Sequence, residues 1–519
     1  MELVKKNVHL SHLDLKEELQ IPLEDVVNLP ETKPDIAEIC MEKGTVIIDE
    51  IRSEKNFALL KGKLAFCILY YTQENGGCLE RTEGKIAFEE KIRMEGLNPS
   101  DVVAATGNVD DLTVEMINTR KLSVQSVITL RAEVDGIYDE ELPVEVAGRM
   151  DQGDAQLRRN PVDYAQLIFS KREVLRVKEA LPLPSGAPNI GRLLWKNASL
   201  GEMSFRLGEE RLYVQGEVLV FVLYEPEEGG MPQTYETVAN FSSELACAGC
   251  REGETLDVRY GVLSYDVTAE PDFDGEQREL GLDVTVGLRI NVYAEERTEV
   301  VRDVYGVTQE LTGEKRSAKL RRIVRSMTGK TKVTDHLRLD GKAQGGALVH
   351  GEGGLGPVEV KEREGGVTLR GSLCVKLFYA TGEESPYGYL RKTIPYEYSL
   401  EIHGMEAGDV IEPVQVNLEQ LSVSLMDGEE VDVKAILSFG VTAFHEMAVE
   451  VLNTLHEEPL DARKMASLPG MAVYLVREGD DLWSIGKRYY VPMQTIREFN
   501  DVSGDVTPGQ KLLIVKGTA

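Results

Sequence analysis

A mainly β protein is expected from this sequence: three tandem β-sandwich or open-barrel domains, followed by a small βααβ module. Three observations predict it. A strand pattern recurs around Gly62, Gly216 and Gly371; the recurrences lie 154 and 155 residues apart; and the last 46 residues change in style. A period so long is that of tandem domains, not of a solenoid repeat.

In LLKGKLAFCILYY, YVQGEVLVFVLYE and TLRGSLCVKLFYA, the positions two, four, six and eight after the glycine are apolar or tyrosine. They read Leu64, Phe66, Ile68, Tyr70; Val218, Val220, Val222, Tyr224; and Leu373, Val375, Leu377, Tyr379. Period two marks one face of a strand. The alternate positions are also apolar in the first two copies, as in a strand covered on both faces. Lys376 interrupts that second face in the third copy, which predicts a more exposed sheet there. A glycine followed five residues later by an acid also recurs, as Gly96 and Asp101, Gly249 and Glu254, Gly404 and Asp409. These acids are read as turn-forming. Pro34-Asp35-Ile36 and Pro188-Asn189-Ile190 both precede their strand glycine by 28 residues, and the third copy has AQGGALVH instead. With β-rich closing segments and turn residues between, each unit reads as a sandwich or open barrel.

The boundaries follow: a first β domain at 1–140, a linker at 141–175, a second domain at 176–300, a basic helical linker at 301–332, a third domain at 333–450, a linker at 451–470 and the terminal module at 471–519. The helix rests on RSAKLRRIVRSMTGKTK, where Leu320, Ile323, Val324 and Met327 fall at helical spacing. In the first linker, Pro161 and Pro182 would bracket any helix.

A length of 519 residues suits three or four domains, and 42% apolar with 28% charged residues is ordinary globular composition. The formal charge of −30 repels phosphate backbones and anionic lipid, so nucleic acid is not expected as a partner. No apolar run approaches the roughly 18 residues that span a bilayer. The amino terminus has no signal-peptide core, so the chain is read as cytosolic.

Cys247 and Cys250 form one C-x-x-C, too few thiolates for a zinc site, and are read as two thiols near a loop. Residues 351–356, GEGGLG, satisfy G-x-G-x-x-G but precede Pro357 and a strand rather than a helix; a hairpin turn is expected. Gly329-Lys330-Thr331 lacks the first glycine of a phosphate loop, Val324 standing in its place. The seven histidines, His9, His12, His336, His350, His403, His445 and His456, show no metal-ligand spacing; His9 and His12 could share a helical face, but a solvated terminus is expected. No carboxylate pair stands out for glycosidic cleavage. No enzyme, cofactor or metal is expected.

Two resemblances extend this reading. VYLVREGDDLWSIGKRYYVPMQTIREFNDVSGDVTPGQKLLIVK resembles the LysM domain, with the opening strand and turn through Gly479, Asp480, Asp481, Leu482 and Trp483. Ile485 and Tyr489 then lie on a first helix, Ile496 and Phe499 on a second, Asn500 ends it, and Pro508-Gly509-Gln510 turns into KLLIV. Helical spacing makes Ile485, Tyr489 and Ile496 core. Gly486, where the family usually has alanine, softens the first helix by up to ~1 kcal/mol. The resemblance implies a groove for N-acetylglucosamine polymers between two loops, with Gly479, Asp480, Asp481, Leu482, Trp483, Asn500, Val502 and Pro508 as the partner- or glycan-binding residues. The stretch from Lys33 to Ile39 and the glycine-led strand after it are similar to the SPOCS domain of the SipL-like spore-coat morphogenetic proteins. Asn189 and Arg192 replace Asp35 and Glu38 in the second copy. That family resemblance implies a non-enzymatic scaffold, made in the mother cell and gathered at the forespore surface, whose LysM domain binds the coat-basement ATPase of the SpoIVA type, with other coat proteins as further partners. The alternative is a cell-wall or cortex protein that holds peptidoglycan glycan.

Overall fold

The computed structural model describes residues 1–147, 154–339, 347–381, 386–426 and 430–516. The first unit comprises β1 (Glu2–Asn28), β2 (Glu38–Glu54), β3 (Phe57–Thr72), β4 (Cys78–Arg93), β5 (Val103–Asn118) and β6 (Lys121–Ala147). Its two antiparallel sheets run β1-β6-β5 and β2-β3-β4. The second unit repeats this plan with β7 (Ala155–Pro182), β8 (Ile190–Gly208), β9 (Arg211–Pro226), β10 (Gln233–Ala246), β11 (Thr255–Pro271) and β12 (Gln277–Gly306), followed by the short β13 (Gln309–Thr312). The third comprises β14 (Lys315–Arg338), β15 (Leu348–Leu355), β16 (Glu359–Arg363), β17 (Gly366–Ala380), β18 (Tyr387–Glu401), β19 (Val410–Leu425) and β20 (Glu430–Leu452). There the second strand is split, with β15 and β16 pairing opposite halves of β17. Then come β21 (His456–Pro459), which pairs β13, α1 (Ala462–Ser467), β22 (Met471–Leu475), α2 (Leu482–Tyr489), α3 (Met493–Asn500) and β23 (Lys511–Val515).

The recurring strands are thus β3, β9 and β17, central in their sheets, and their period-two side chains are buried between the two layers. Each such side chain removed from water contributes roughly 1.5–3 kcal/mol. The proline motif has a structural purpose. Tyr70 donates to the Pro34 carbonyl (3.1 Å) and Tyr224 to that of Pro188 (3.2 Å). Arg120 grips the same crossover through Asp35 and the Lys33 and Pro30 carbonyls, and Arg278 does so through Asn189, Ala187 and Pro184. The signature clamps the first crossover onto the hairpin that ends each unit. In the third copy, residues 343–346 of AQGGALVH lie outside the described residues.

The turn acids behave as expected: Asp101, Glu254 and Asp409 accept from the backbone N–H of Asn98, Arg251 and Glu406 at 2.8, 2.9 and 2.8 Å. Their glycines have φ of 94°, 82° and 86°, the left-handed region.

Several expectations are corrected. Residues 315–338 form strand β14, not a helix. Leu320 and Ile323 lie on opposite faces of this strand and are buried in different clusters, so a strand covered on both faces mimics a helical stripe. The segments 141–175 and 301–332 are likewise strands rather than linkers for most of their length. The glycines of 351–355 lie in strand β15, where a Cβ on Gly353 would come within 2.5 Å of Leu418; glycine there lets the two sheets approach. Gly329-Lys330-Thr331 is also strand, with Lys330 paired to Glu202 and Glu419. Cys247 and Cys250 are joined in a disulfide. They occupy the turn that Met94 and Leu97, and Ile402 and Met405, fill in the sibling units. His9 and His12 lie on strand β1 rather than a helix, and His9 is exposed, as expected, and meets Asp139.

The outer faces of β3, β9 and β17 meet one another. Cys67, Phe221 and Lys376 lie at the same step after their glycines and pair across strands with Lys43, Asn197 and Glu352. Two steps on, Leu69, Leu223 and Phe378 pair with Met41, Trp195 and His350. Equivalent positions of three units therefore converge on one pseudo-threefold hub. Lys43 donates to Asn197, Trp195 Nε1 donates to Glu352 at 2.9 Å, His350 stacks on Phe221 with centroids 3.4 Å apart, and Lys376 donates to the Glu42 carbonyl at 2.8 Å. Lys376 is therefore largely covered, which corrects the expectation of an exposed sheet. A second convergence joins the long ribbons of the units through Val8, Leu10, Leu142, Val162, Tyr164, Val300, Ala318, Leu320 and Val451.

One buried carboxyl makes stability depend on pH. Burial pushes Asp257 up to about 6, with Arg259 and Asn291 pulling the other way. Its folded value lies above the unfolded one, so its stabilising share is complete below pH ~4 and is lost as pH rises through about 6. Asp257→Asn is expected to remove that decline and to raise stability at pH 7 by about 1–3 kcal/mol, read from urea midpoints at pH 4.5 and 7.

Candidate binding surface of the terminal module

β22 and β23 pair antiparallel, Val473 against Leu513, and the two helices cover one face of this ribbon. The core is Tyr474, Val476, Leu482, Ile485, Val491, Ile496, Leu512 and Ile514, with Tyr489 packed against it, as helical spacing predicted. Phe499 is exposed.

The first groove loop is held by its own acids. Asp480 accepts from Arg477 N (2.9 Å) and from the Tyr474 hydroxyl (2.6 Å), and the latter bond leads in holding its carboxyl below the usual range. Asp481 caps α2, accepting from Ser484 N at 2.8 Å while Ser484 Oγ accepts from Asp481 N at 3.0 Å. This reciprocal cap satisfies two helix N–H groups. On the other loop, Asn500 donates to the Ile496 and Leu513 carbonyls at 2.8 Å and accepts from Leu513 N at 2.6 Å. Val502 packs on the core. Of the eight residues named from sequence, only Gly479 and Pro508 are exposed.

Leu482 and Trp483 do not face solvent. Leu482 is core, and Trp483 is 5% exposed because the second unit covers it. Trp483 Nε1 donates to Asp303 at 2.8 Å and its ring meets Tyr305 edge-on at 4.8 Å. Lys487 also reaches Asp303, at 2.7 Å. Burial would raise the Asp303 carboxyl, but the bonds from Lys487 and Trp483 outweigh it and hold it below the usual range. Tyr305 donates to the Val491 carbonyl at 2.9 Å, Arg158 pairs with Asp481 at 3.0 Å, and Tyr490 donates to Glu310. A Cβ on Gly486 would lie 2.5 Å from the Tyr305 hydroxyl and 2.8 Å from the Val491 carbonyl. The glycine that departs from the family habit leaves room for Tyr305 of the body. That departure was the one sequence signal for this contact; Arg158, Asp303, Tyr305 and Glu310 carried none.

The opposite side of the module is open. Met471, Val473 and Leu475 point outward in succession along β22, exposed by 62, 71 and 54%. Single exposed apolar residues are ordinary, but three in register on one strand form a patch of the kind that binds proteins. Among the described residues no group of three or more His, Cys, Asp and Glu is placed to hold a metal, and no helix is long and apolar enough to cross a membrane.

Comparison with protein families finds the SipL SPOCS domain at residues 35–117 and 189–270 and the LysM domain at 474–515. No curated protein and no solved structure matches the chain. The SPOCS matches fall on the first two units; the third repeats their strand order with a degenerate signature. Both are non-catalytic binding domains. Two SPOCS domains of the SipL type and a C-terminal LysM domain make this a sporulation-related protein with a LysM binding module.

Proposed function

We propose that this chain is a non-enzymatic scaffold for spore-coat assembly, which works at the forespore surface in the mother cell and docks through its LysM domain on a coat-basement ATPase of the SpoIVA type. The observation that carries this reading is the exposed apolar row Met471, Val473 and Leu475, set on the side of the module away from its attachment to Asp303 and Tyr305. A protein partner is favoured over a sugar because Asp480, Asp481 and Asn500 spend their side chains on holding their own loops. The closed hub leaves the three sandwiches as a single platform on which other coat proteins gather.

Full-length Val473→Glu is expected to lose capture of a SpoIVA-type ATPase about tenfold or more, since one charge in an apolar contact costs over 1.4 kcal/mol. Val473 is exposed, so the fold should be unaffected. Undiminished capture by this variant would remove the docking surface, and sedimentation of the full chain with purified peptidoglycan, without capture of the ATPase, would replace the scaffold by a glycan-binding role.

A further inference from the structure

The third unit departs from its siblings at the glycine-led turn. Asp101 and Glu254 cap exposed turns, whereas Asp409 is buried to 1% exposure. Its Oδ2 keeps the turn bond to Glu406 N, while Oδ1 lies 2.6 Å from His445 Nδ1. His445 is directly opposite Arg322 in the β14–β20 register, so both side chains share one face. The two line a cleft of about 510 Å³ between the ribbons of the second and third units, together with Asn160, Asp163 and Met447. The other charges of the cleft are matched: Arg302 pairs with Glu450 at 2.9 Å and Asp163 with Arg297 at 3.7 Å. Arg322 makes no ion pair among the described residues. A cleft with an arginine of unspent charge, beside an imidazole oriented by a buried carboxylate, is unusual in a chain of net charge −30.

We propose that this cleft binds a small oxyanion, a phosphate or carboxylate group. Arg322 supplies forked N–H donors whose planar geometry matches two oxygens at once. Asp409 fixes Nδ1 as the protonated ring nitrogen, which aims Nε2 at the ligand. There Nε2 accepts from a protonated oxygen of the ligand, or as imidazolium donates to an ionised one. The sibling units have no counterpart, because their turn acids face no histidine. The site thus gives the third unit a task of its own.

The test uses the full-length chain with isotopically labelled histidine, whose seven ring signals are few enough to resolve, His445 being identified by His445→Gln. Inorganic phosphate and citrate are titrated separately. A saturable shift of the His445 signal is expected with one of them, and which one responds decides between a phosphate and a carboxylate ligand. Arg322→Gln should weaken that binding about tenfold or more, and Arg322→Lys, which keeps the charge but loses the fork, by less. The six other histidine signals report whether each variant is folded, and the lysine variant serves if the glutamine one is not. Absence of a saturable shift up to about 10 mM of either anion overturns the site, as does undiminished affinity in Arg322→Gln.

Discussion

Tyr305→Ala is expected to detach the LysM module while the three sandwiches stay folded. Tyr305 is 1% exposed; it supports the Trp483 ring and donates to the Val491 carbonyl. Truncating a buried aromatic costs about 3–5 kcal/mol, and here the loss falls on the docking of one module rather than on a core. Of the remaining contacts, Arg158 with Asp481 is half exposed and contributes little alone, while the bonds of Lys487 and Trp483 to Asp303 and of Tyr490 to Glu310 do not replace the lost ring. Limited proteolysis should therefore cut the 453–470 segment much faster in the variant, and small-angle scattering should show a larger radius. Gly486→Ala should act the same way, even though alanine favours a helix by about 1 kcal/mol, because its methyl meets the Tyr305 hydroxyl. Equal cleavage rates in Tyr305→Ala and the unaltered chain would mean that the contact does not hold the module.

Glu352→Ala should have the largest effect on stability. Glu352 is 9% exposed at the hub, 3.9 Å from Lys43, 3.5 Å from His350 and hydrogen-bonded by Trp195. Burial alone would raise its carboxyl, but Lys43 first and then His350 hold it far below the usual range. Removing it leaves the buried Lys43 without its carboxylate, the indole N–H without its acceptor and His350 with Glu236 alone, which costs about 3–5 kcal/mol. The urea midpoint should fall accordingly, with the three units losing their common transition. Glu95→Ala is the comparison: its pair with Arg93 is exposed on both sides, and the change should stay within about 0.5 kcal/mol. A midpoint for Glu352→Ala as high as that of Glu95→Ala would show that the units do not depend on the hub.

Much of the fold was legible because a strand buried on one face writes its period into the chain. The triple repeat exposed β3, β9 and β17, and the glycine–acid step exposed the turns. What failed had physical causes. Strand β14 is covered on both faces, with Leu320 buried on one and Ile323 on the other, so its apolar residues fall at a spacing of three that matches a helix. Lys376 reads as a break in its strand because its partner, Glu42, belongs to another unit more than 300 residues away, and GEGGLG reads as a turn because Trp195, which holds Glu352, lies in another unit as well. The LysM core is legible from helical spacing, but the burial of Trp483 against the second unit is not, since an apolar side chain at a helix start looks alike whether a ligand or another domain covers it. His445 and Asp409 lie 36 residues apart and meet only through the pairing of β19 with β20.

The hub has a consequence for how the chain is made. Lysine, asparagine and glutamate occupy its three equivalent positions, and the glutamate is the last to leave the ribosome. Until then a nascent polypeptide displays Trp195, Phe221 and Leu223 with only the first unit against them and the third side open, a surface on which unfinished chains stick to one another. Premature termination before the third sandwich should thus yield aggregates rather than a smaller working protein.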